Sequence, residues 1–350
     1  MKTRCLLVVA LVVALTGCTA RKPLEWERVE AAADCRCADG SPFSFWERRA
    51  DPTRVVFFLN GGGVCWDATA CAFTGEHGES DFYDWGSGAA EPENRHGLFD
   101  VTRRANPFAD YSFVYVSPCT GDAHLGNVSQ PYSPALTVRH NGLVNGTAAL
   151  EHLAAHYPNA KQVVVIGKTA GSVAAPLYGG LVADRLPRAK VVVLGAQSGA
   201  WPDDPGFNAE VLGTRWGAHA AAPRWAVDGL TAAQWGVPRF WSQAARHNPR
   251  LVLARFDFAF DPHAASEVTR RVHGDPTKLL AVIDGNEAAI EAAGARLHSY
   301  TAPGNRHGLF EFDRFYTIKV KGVKLVDWLH TLVTDAPPKD VHCAPCGPTG

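Results

Sequence analysis

The chain has 350 residues, 46% hydrophobic and 20% charged, the balance of a globular protein with enough apolar side chains for one large core. Its 34 Lys and Arg against 35 Asp and Glu leave a formal charge of -1, and no basic run of the kind that tracks a phosphate backbone is present. These features exclude nucleic-acid binding as a leading function class and predict a single domain.

At the N-terminus, Lys2 and Arg4 precede an apolar run at 6–15, long enough for the core of a signal peptide and short for a bilayer span. The run closes on Leu15-Thr16-Gly17-Cys18, which resembles the lipobox of bacterial lipoproteins, where the cysteine is lipidated and becomes the mature N-terminus. Residues 1–17 are therefore expected to be a lipoprotein signal peptide. Residues 18–30 are read as the lipidated Cys18 and a polar tether, and 31–350 as the folded domain. A plain cleaved signal peptide with a chance cysteine is the alternative. Thr19 stands where the rule for inner-membrane retention wants Asp, so the expected address in a Gram-negative host is the outer membrane or cell surface.

Export lets disulfides persist. With Cys5 and Cys18 set aside, seven of the nine cysteines remain: Cys35, Cys37, Cys65, Cys71, Cys119, Cys343 and Cys346. Cys65 with Cys71 and Cys343 with Cys346 are the closest pairs in sequence, but spacing leaves connectivity open and an odd count leaves at least one thiol free. Zinc held by Cys35-x-Cys37 and Cys343-x-x-Cys346 is the competing reading. Structural zinc, however, usually shows two well-spaced pairs.

Beyond the tether, apolar runs alternate with helical patterns. Strands are predicted at 55–60, 111–117, 162–167, 190–197, 251–257 and 297–302, most of them β-branched and continuous, as in a mostly parallel sheet covered on both faces. Helices are predicted at 143–156, 172–186, 277–295 and 325–333. That alternation argues for an α/β layer architecture in one domain. Segments 71–107 and 203–241 show no clear period. The second holds Trp216, Trp225, Trp235 and Trp241, which either line a cleft or pack a small helical cap.

Three junctions carry chemistry. The strand at 55–60 runs into Gly61-Gly62-Gly63, where consecutive glycines let backbone N–H groups face a ligand, as an oxyanion hole requires. The strand at 162–167 runs into Gly167-Lys168-Thr169-Ala170-Gly171 and then a helix, the placing of the G-x-S-x-G nucleophile elbow of α/β-hydrolases with Thr in the serine position. Further on come Asp257 and Asp261, then His307, one of 14 histidines, in a loop after a strand. The order nucleophile, acid, histidine is that of the α/β-hydrolase fold.

Six collinear segments resemble the pectin acetylesterase and Notum family, particularly its shorter bacterial members: LNGGGVCW at 59–66, PCTGDAHLGN at 118–127, GKTAGSVAAPLYGGLVADRLP at 167–187, FDFAFDPHAA at 256–265, APGNRHGLF at 302–310 and FYTIKVKGVKLVDWL at 315–329. The resemblance covers most of the chain after about residue 40. It implies an α/β-hydrolase-like fold and ester hydrolysis of a polysaccharide or small-molecule acyl ester, with no cofactor and no metal. Residue by residue it places the nucleophile at Thr169, the acid at Asp261, the base at His307 and the oxyanion donors on Gly62, Gly63 and Ala170. It prefers Asp261 over Asp257 because Phe260-Asp261 matches the family's F-D-E-x-Q stretch, although the E and Q are absent. Asp122 and His124 fall in a family motif with an expected structural role. Three departures cluster at the site: Thr169 for Ser, Lys168 for a small residue, and Gln197 near the Asp of an A-D-G-S-G pattern.

A β-branched residue at the positive φ of an elbow is strained, at a cost on the order of 1–3 kcal/mol. Its methyl group also crowds the hydroxyl, and threonine nucleophiles elsewhere use their own N-terminal amine, which an internal residue lacks. Two rescues could substitute for it: Ser172, more naturally a local hydrogen-bonding residue of the first helical turn, and Lys168 as a base, more naturally solvated or salt-bridged. The alternative function is a catalytically inactive pseudoesterase that binds ligands as a surface lipoprotein.

Overall fold

The computed structural model describes residues 25–75, 82–86, 92, 95–266, 276–334 and 336–347. The expected signal peptide, Cys18 and the first part of the expected tether lie outside the described residues. A nine-stranded sheet is built from β1 (Glu27–Glu30), β2 (Ser44–Arg48), β3 (Asp51–Leu59), β4 (Tyr111–Val116), β7 (Gln162–Lys168), β8 (Lys190–Ala196), β9 (Val252–Phe258), β10 (Leu297–Ala302) and β13 (Val341–His342). Its spatial order is β1-β2-β4-β3-β7-β8-β9-β10-β13. From β4 to β13 every neighbouring pair is parallel; β1 and β2 form an antiparallel edge. Two small hairpins, β5 (Val128–Ser133) with β6 (Leu136–His140) and β11 (Lys319–Val320) with β12 (Val323–Lys324), lie outside it.

The continuous apolar strands follow from burial on both faces, because successive side chains point to opposite sides. Val55, Phe57 and Leu59 of β3 join Val163 and Val165 of β7 in one core, whereas Val56 and Phe58 join Val164 and Ile166 in the other. Helices α1 (Gly142–His156), α2 (Ala170–Arg185) and α3 (Val237–His247) cover the first face, and α4 (Leu279–Ala292) packs against α3. The second face is covered by α5 (Leu325–Val333) through Leu325, Trp328, Leu329 and Leu332. Among the described residues no helix is long and apolar enough to cross a membrane.

The six predicted strands all form, the last with the predicted bounds and the others within a few residues. The predicted helix at 277–295 begins instead as a short 3-10 turn at Pro276–Lys278, with the α-helix only from Leu279. Within the stretch read as a tether, Glu27–Glu30 forms a strand that pairs with Ser44, Phe45, Trp46 and Glu47. This polar, mostly exposed segment is a strand because it has a partner, which its composition does not disclose. Helix α3 emerges from the end of the unassigned segment 203–241, preceded by short helical turns at Pro205–Phe207, Ala218–Ala221 and Arg224–Val227. Trp216, Trp235 and Trp241 are fully buried in this cap, and Trp225 stacks on His247 at 4.3 Å, so these four indoles pack the cap. The indole N–H groups of Trp216 and Trp235 donate to the carbonyls of Cys65 and Ala226.

The cysteines form Cys37–Cys119, Cys65–Cys71 and Cys343–Cys346, leaving Cys35 as a buried thiol among the described residues. Cys35-x-Cys37 is therefore split between a thiol and a disulfide. Burial, reinforced by the charge of Asp34, pushes the Cys35 thiol up to about 11, away from reactivity.

Candidate active site

Strands β3, β7, β8, β9 and β10 are neighbours in the sheet and run the same way, so the loops after them open at one end. That end is where ligands bind in open α/β sheets. A cleft of about 410 Å³ lies there, lined by Gly61, Gly62 and Gly63 after β3, Lys168, Thr169 and Ala170 at the end of β7, Gln197 and Ser198 after β8, and His307 after β10.

Thr169 sits between β7 and α2 with φ 45° and ψ −112°, the sharp positive-φ turn expected of an elbow. Its N–H donates to the Ala196 carbonyl of β8 (2.8 Å), which ties the turn to the sheet. The flanking glycines are demanded by packing: a Cβ on Gly171 would lie 2.1 Å from the Leu59 carbonyl oxygen, and one on Gly167 would lie 2.4 Å from that of Gly171. Ala170 opens α2, so its N–H belongs to the first turn, whose donors have no partner within the helix. The N–H groups of Gly62, Gly63 and Ala170 make no hydrogen bond to another described residue.

Asp261 lies in the turn after β9, 2% exposed. Its carboxylate accepts from His307 Nδ1 at 2.8 and 3.0 Å, from the His263 N–H at 2.9 Å and from Gln197 Nε2 at 3.0 Å. The acceptor sites of the carboxylate are thereby nearly filled, and Nδ1 of His307 is fixed as the donor, leaving Nε2 for the cleft. The competing Asp257 lies on β9 itself, accepts from the Gly199 N–H (2.8 Å) and pairs with Arg255 Nε (3.2 Å). Burial pushes its carboxyl up to about 6; it braces the loop after β8 and does not meet His307.

Thr169 and His307 share the cleft, but no hydrogen bond joins the hydroxyl to the ring. The hydroxyl instead packs on the glycine loop, where a Cβ on Gly61 would stand 1.6 Å from Thr169 Oγ1. Only glycine fits at 61.

Neither rescue fits the geometry. Ser172 is fully buried and bonded to Ser198 Oγ (2.6 Å), a link across elements in place of the local bond expected. Lys168 is held in an ion pair with Glu311 (2.6 Å), four residues after His307, which fastens the elbow to the histidine loop. Asp122, fully buried, accepts from the Thr120 hydroxyl and from the N–H groups of His124, Gly126 and Gly142. It is the hub of its loop. Burial drives the neighbouring His124 down to about 4, so the ring is neutral and donates through Nε2 to the Asn60 carbonyl (2.8 Å) at the root of the glycine loop.

The cleft also contains residues that sequence reading did not single out. The His263 ring lies tilted at 41° against His307 with centroids 4.4 Å apart, and Phe82, Asp84 and Trp201 also line the wall. Asp84 and Phe82 come from the aperiodic segment 71–107 and carried no signal. Gln197 did carry one: it departs from the family pattern, takes φ 68° and holds Asp261.

A model of the family described as Pectinacetylesterase matches residues 19–212. Among solved structures, the Wnt deacylase Notum from Drosophila is similar in fold, with a TM-score of 0.69 and 16% identity over 92% of this chain and 96% of that chain. Among curated proteins, none matches.

Proposed function

The chain belongs to the pectinacetylesterase family, and from that premise we propose that it is a carboxylic ester hydrolase, a deacetylase of a polysaccharide or similar acyl ester. One observation carries the reading: His307 Nδ1 lies 2.8 Å from Asp261 Oδ2, in the cleft shared with Thr169 and the glycine loop. In the proposed reaction Thr169 Oγ1 attacks the acyl carbon while His307 Nε2 takes the hydroxyl proton. Asp261 stabilises the imidazolium that forms. The N–H groups of Gly62, Gly63 and Ala170 hold the negative oxygen of the tetrahedral intermediate. Collapse expels the alcohol, which receives the proton back from His307. Water, activated by the same ring, then releases the acid from the acyl-enzyme. The full chain incubated with p-nitrophenyl acetate and with acetylated oligosaccharides is expected to release product; acetate release no faster than in buffer, from every ester tried, removes turnover from the proposal.

The second reading, an inactive pseudoesterase that binds its ligand in the same cleft, draws on a different observation: the Thr169 hydroxyl rests on the glycine loop without a bond to His307. The address proposed with either reading is that of an exported bacterial lipoprotein anchored through Cys18. Palmitate is expected to label the expressed protein and not its Cys18→Ala variant; equal labelling of the two disposes of the anchor.

A further inference from the structure

We propose that Cys343–Cys346 is a thiol–disulfide exchange site for a dithiol reductant, coupled to the acid–base pair of the cleft. Of the three disulfides among the described residues, Cys37–Cys119 and Cys65–Cys71 have all four cysteines at most 1% exposed, whereas Cys346 is partly open to solvent beside the buried Cys343. Exchange needs access to a sulfur in line with the S–S bond, so Cys346 is the sulfur attacked. His342 flanks it: Nδ1 lies 4.0 Å from Cys346 Sγ and 2.7 Å from the Cys343 carbonyl oxygen, and Nε2 lies 3.1 Å from Asp284 Oδ1. The imidazole is thus held next to the sulfur that leaves as a thiolate once the bond is open.

The reaction balances as a two-electron exchange. A thiolate of the reductant attacks Cys346 Sγ, the Cys343–Cys346 bond breaks, and its electron pair leaves on Cys343 Sγ, which takes a proton. The reductant's second thiol, losing its proton, then attacks the reductant's own sulfur in the mixed disulfide and expels Cys346 as the thiolate beside His342. The reductant is oxidised to a disulfide and the protein pair is reduced to a dithiol.

Backbone hydrogen bonds connect the pair to the cleft. The Cys343 N–H donates to the Thr301 carbonyl (3.0 Å) and the Gly304 N–H to the Gly347 carbonyl (2.8 Å), so the disulfide loop is docked on the segment that leads to His307. The Gly304 carbonyl in turn accepts from the Phe260 N–H (3.0 Å), next to Asp261. Opening the disulfide loosens residue 347, and with it the bond that aligns Gly304 between the acid and the base. The coupling rests on reading Asp261 and His307 as the catalytic pair.

The test uses the full chain under native conditions, treated with dithiothreitol, alkylated and mapped by mass spectrometry, with the His307 ring signal followed by NMR. Cys343 and Cys346 are expected to label at least about tenfold faster than the two buried pairs, because exchange rates follow sulfur access. The His307 signal is expected to shift on reduction and to shift alike in the Cys343→Ser, Cys346→Ser double variant. Labelling no faster than that of the buried disulfides overturns the exchange site. A His307 signal indifferent both to reduction and to the double variant overturns the coupling. Neither readout needs turnover, so a protein without esterase activity refutes the reaction proposed above and leaves this result to be judged separately.

Discussion

Thr169→Ser is expected to raise the turnover of p-nitrophenyl acetate about 10²-fold, the size of effect that misplacing a reacting group by roughly 1 Å produces. Thr169 holds φ 45° at the elbow, a conformation that β-branched residues tolerate poorly. Its hydroxyl lies against the glycine loop, where the site a Gly61 Cβ would fill is only 1.6 Å away. Serine lacks the methyl group, so its hydroxyl can rotate toward His307 without driving a carbon into the cleft wall. Steady-state kinetics of both proteins, each with and without His307→Ala, separate the two functional readings. Slow wild-type hydrolysis that vanishes with His307 supports an enzyme with a hindered nucleophile. A silent wild type beside an active serine variant identifies a pseudoesterase on an intact scaffold. If the serine variant also fails to hydrolyse esters, the inherited reaction is not available to this cleft.

The larger loss is expected from Asp261→Asn introduced into the Thr169→Ser protein: kcat falls about 10⁴-fold, as when the carboxylate of a serine-protease triad is made an amide. The carboxylate accepts from the His307 ring, the Gln197 amide and the His263 backbone, so it fixes Nδ1 as a donor and leaves Nε2 able to take a proton. An amide can turn its own N–H toward Nδ1 and impose the opposite tautomer, in which Nε2 carries the proton and cannot act as base. Rates measured alongside circular-dichroism melting distinguish this from collapse of the fold. A properly folded variant that keeps more than about a tenth of the parent rate would remove Asp261 from the proposed mechanism.

Much of the architecture was legible because it is written locally. Continuous β-branched runs at 162–167 and 190–197 need cover on both faces whatever surrounds them, and the strands formed there. The elbow was legible for the same reason: Gly167 and Gly171 flank a position at the end of such a strand, and the close approach of Leu59 leaves no alternative to glycine at 171. Helix α3 and strand β1 were not legible. Val237–His247 follows a string of short turns whose tryptophans could pack in several ways, and Glu27–Glu30 reads as polar linker until Ser44–Arg48 is beside it.

By itself the amino-acid order determined the layered α/β class and the family resemblance, and it put forward Thr169, then Asp257 or Asp261, then His307, since each rests on residue types in local motifs. Which aspartate faces the histidine, that Cys37 pairs with Cys119, that Lys168 is spent on Glu311 and that Gln197 supports Asp261 were decided only by the tertiary structure. Each of these joins groups far apart in the chain, and a contact of that kind is set by how β3, β7, β8, β9 and β10 pack side by side, which no local pattern encodes.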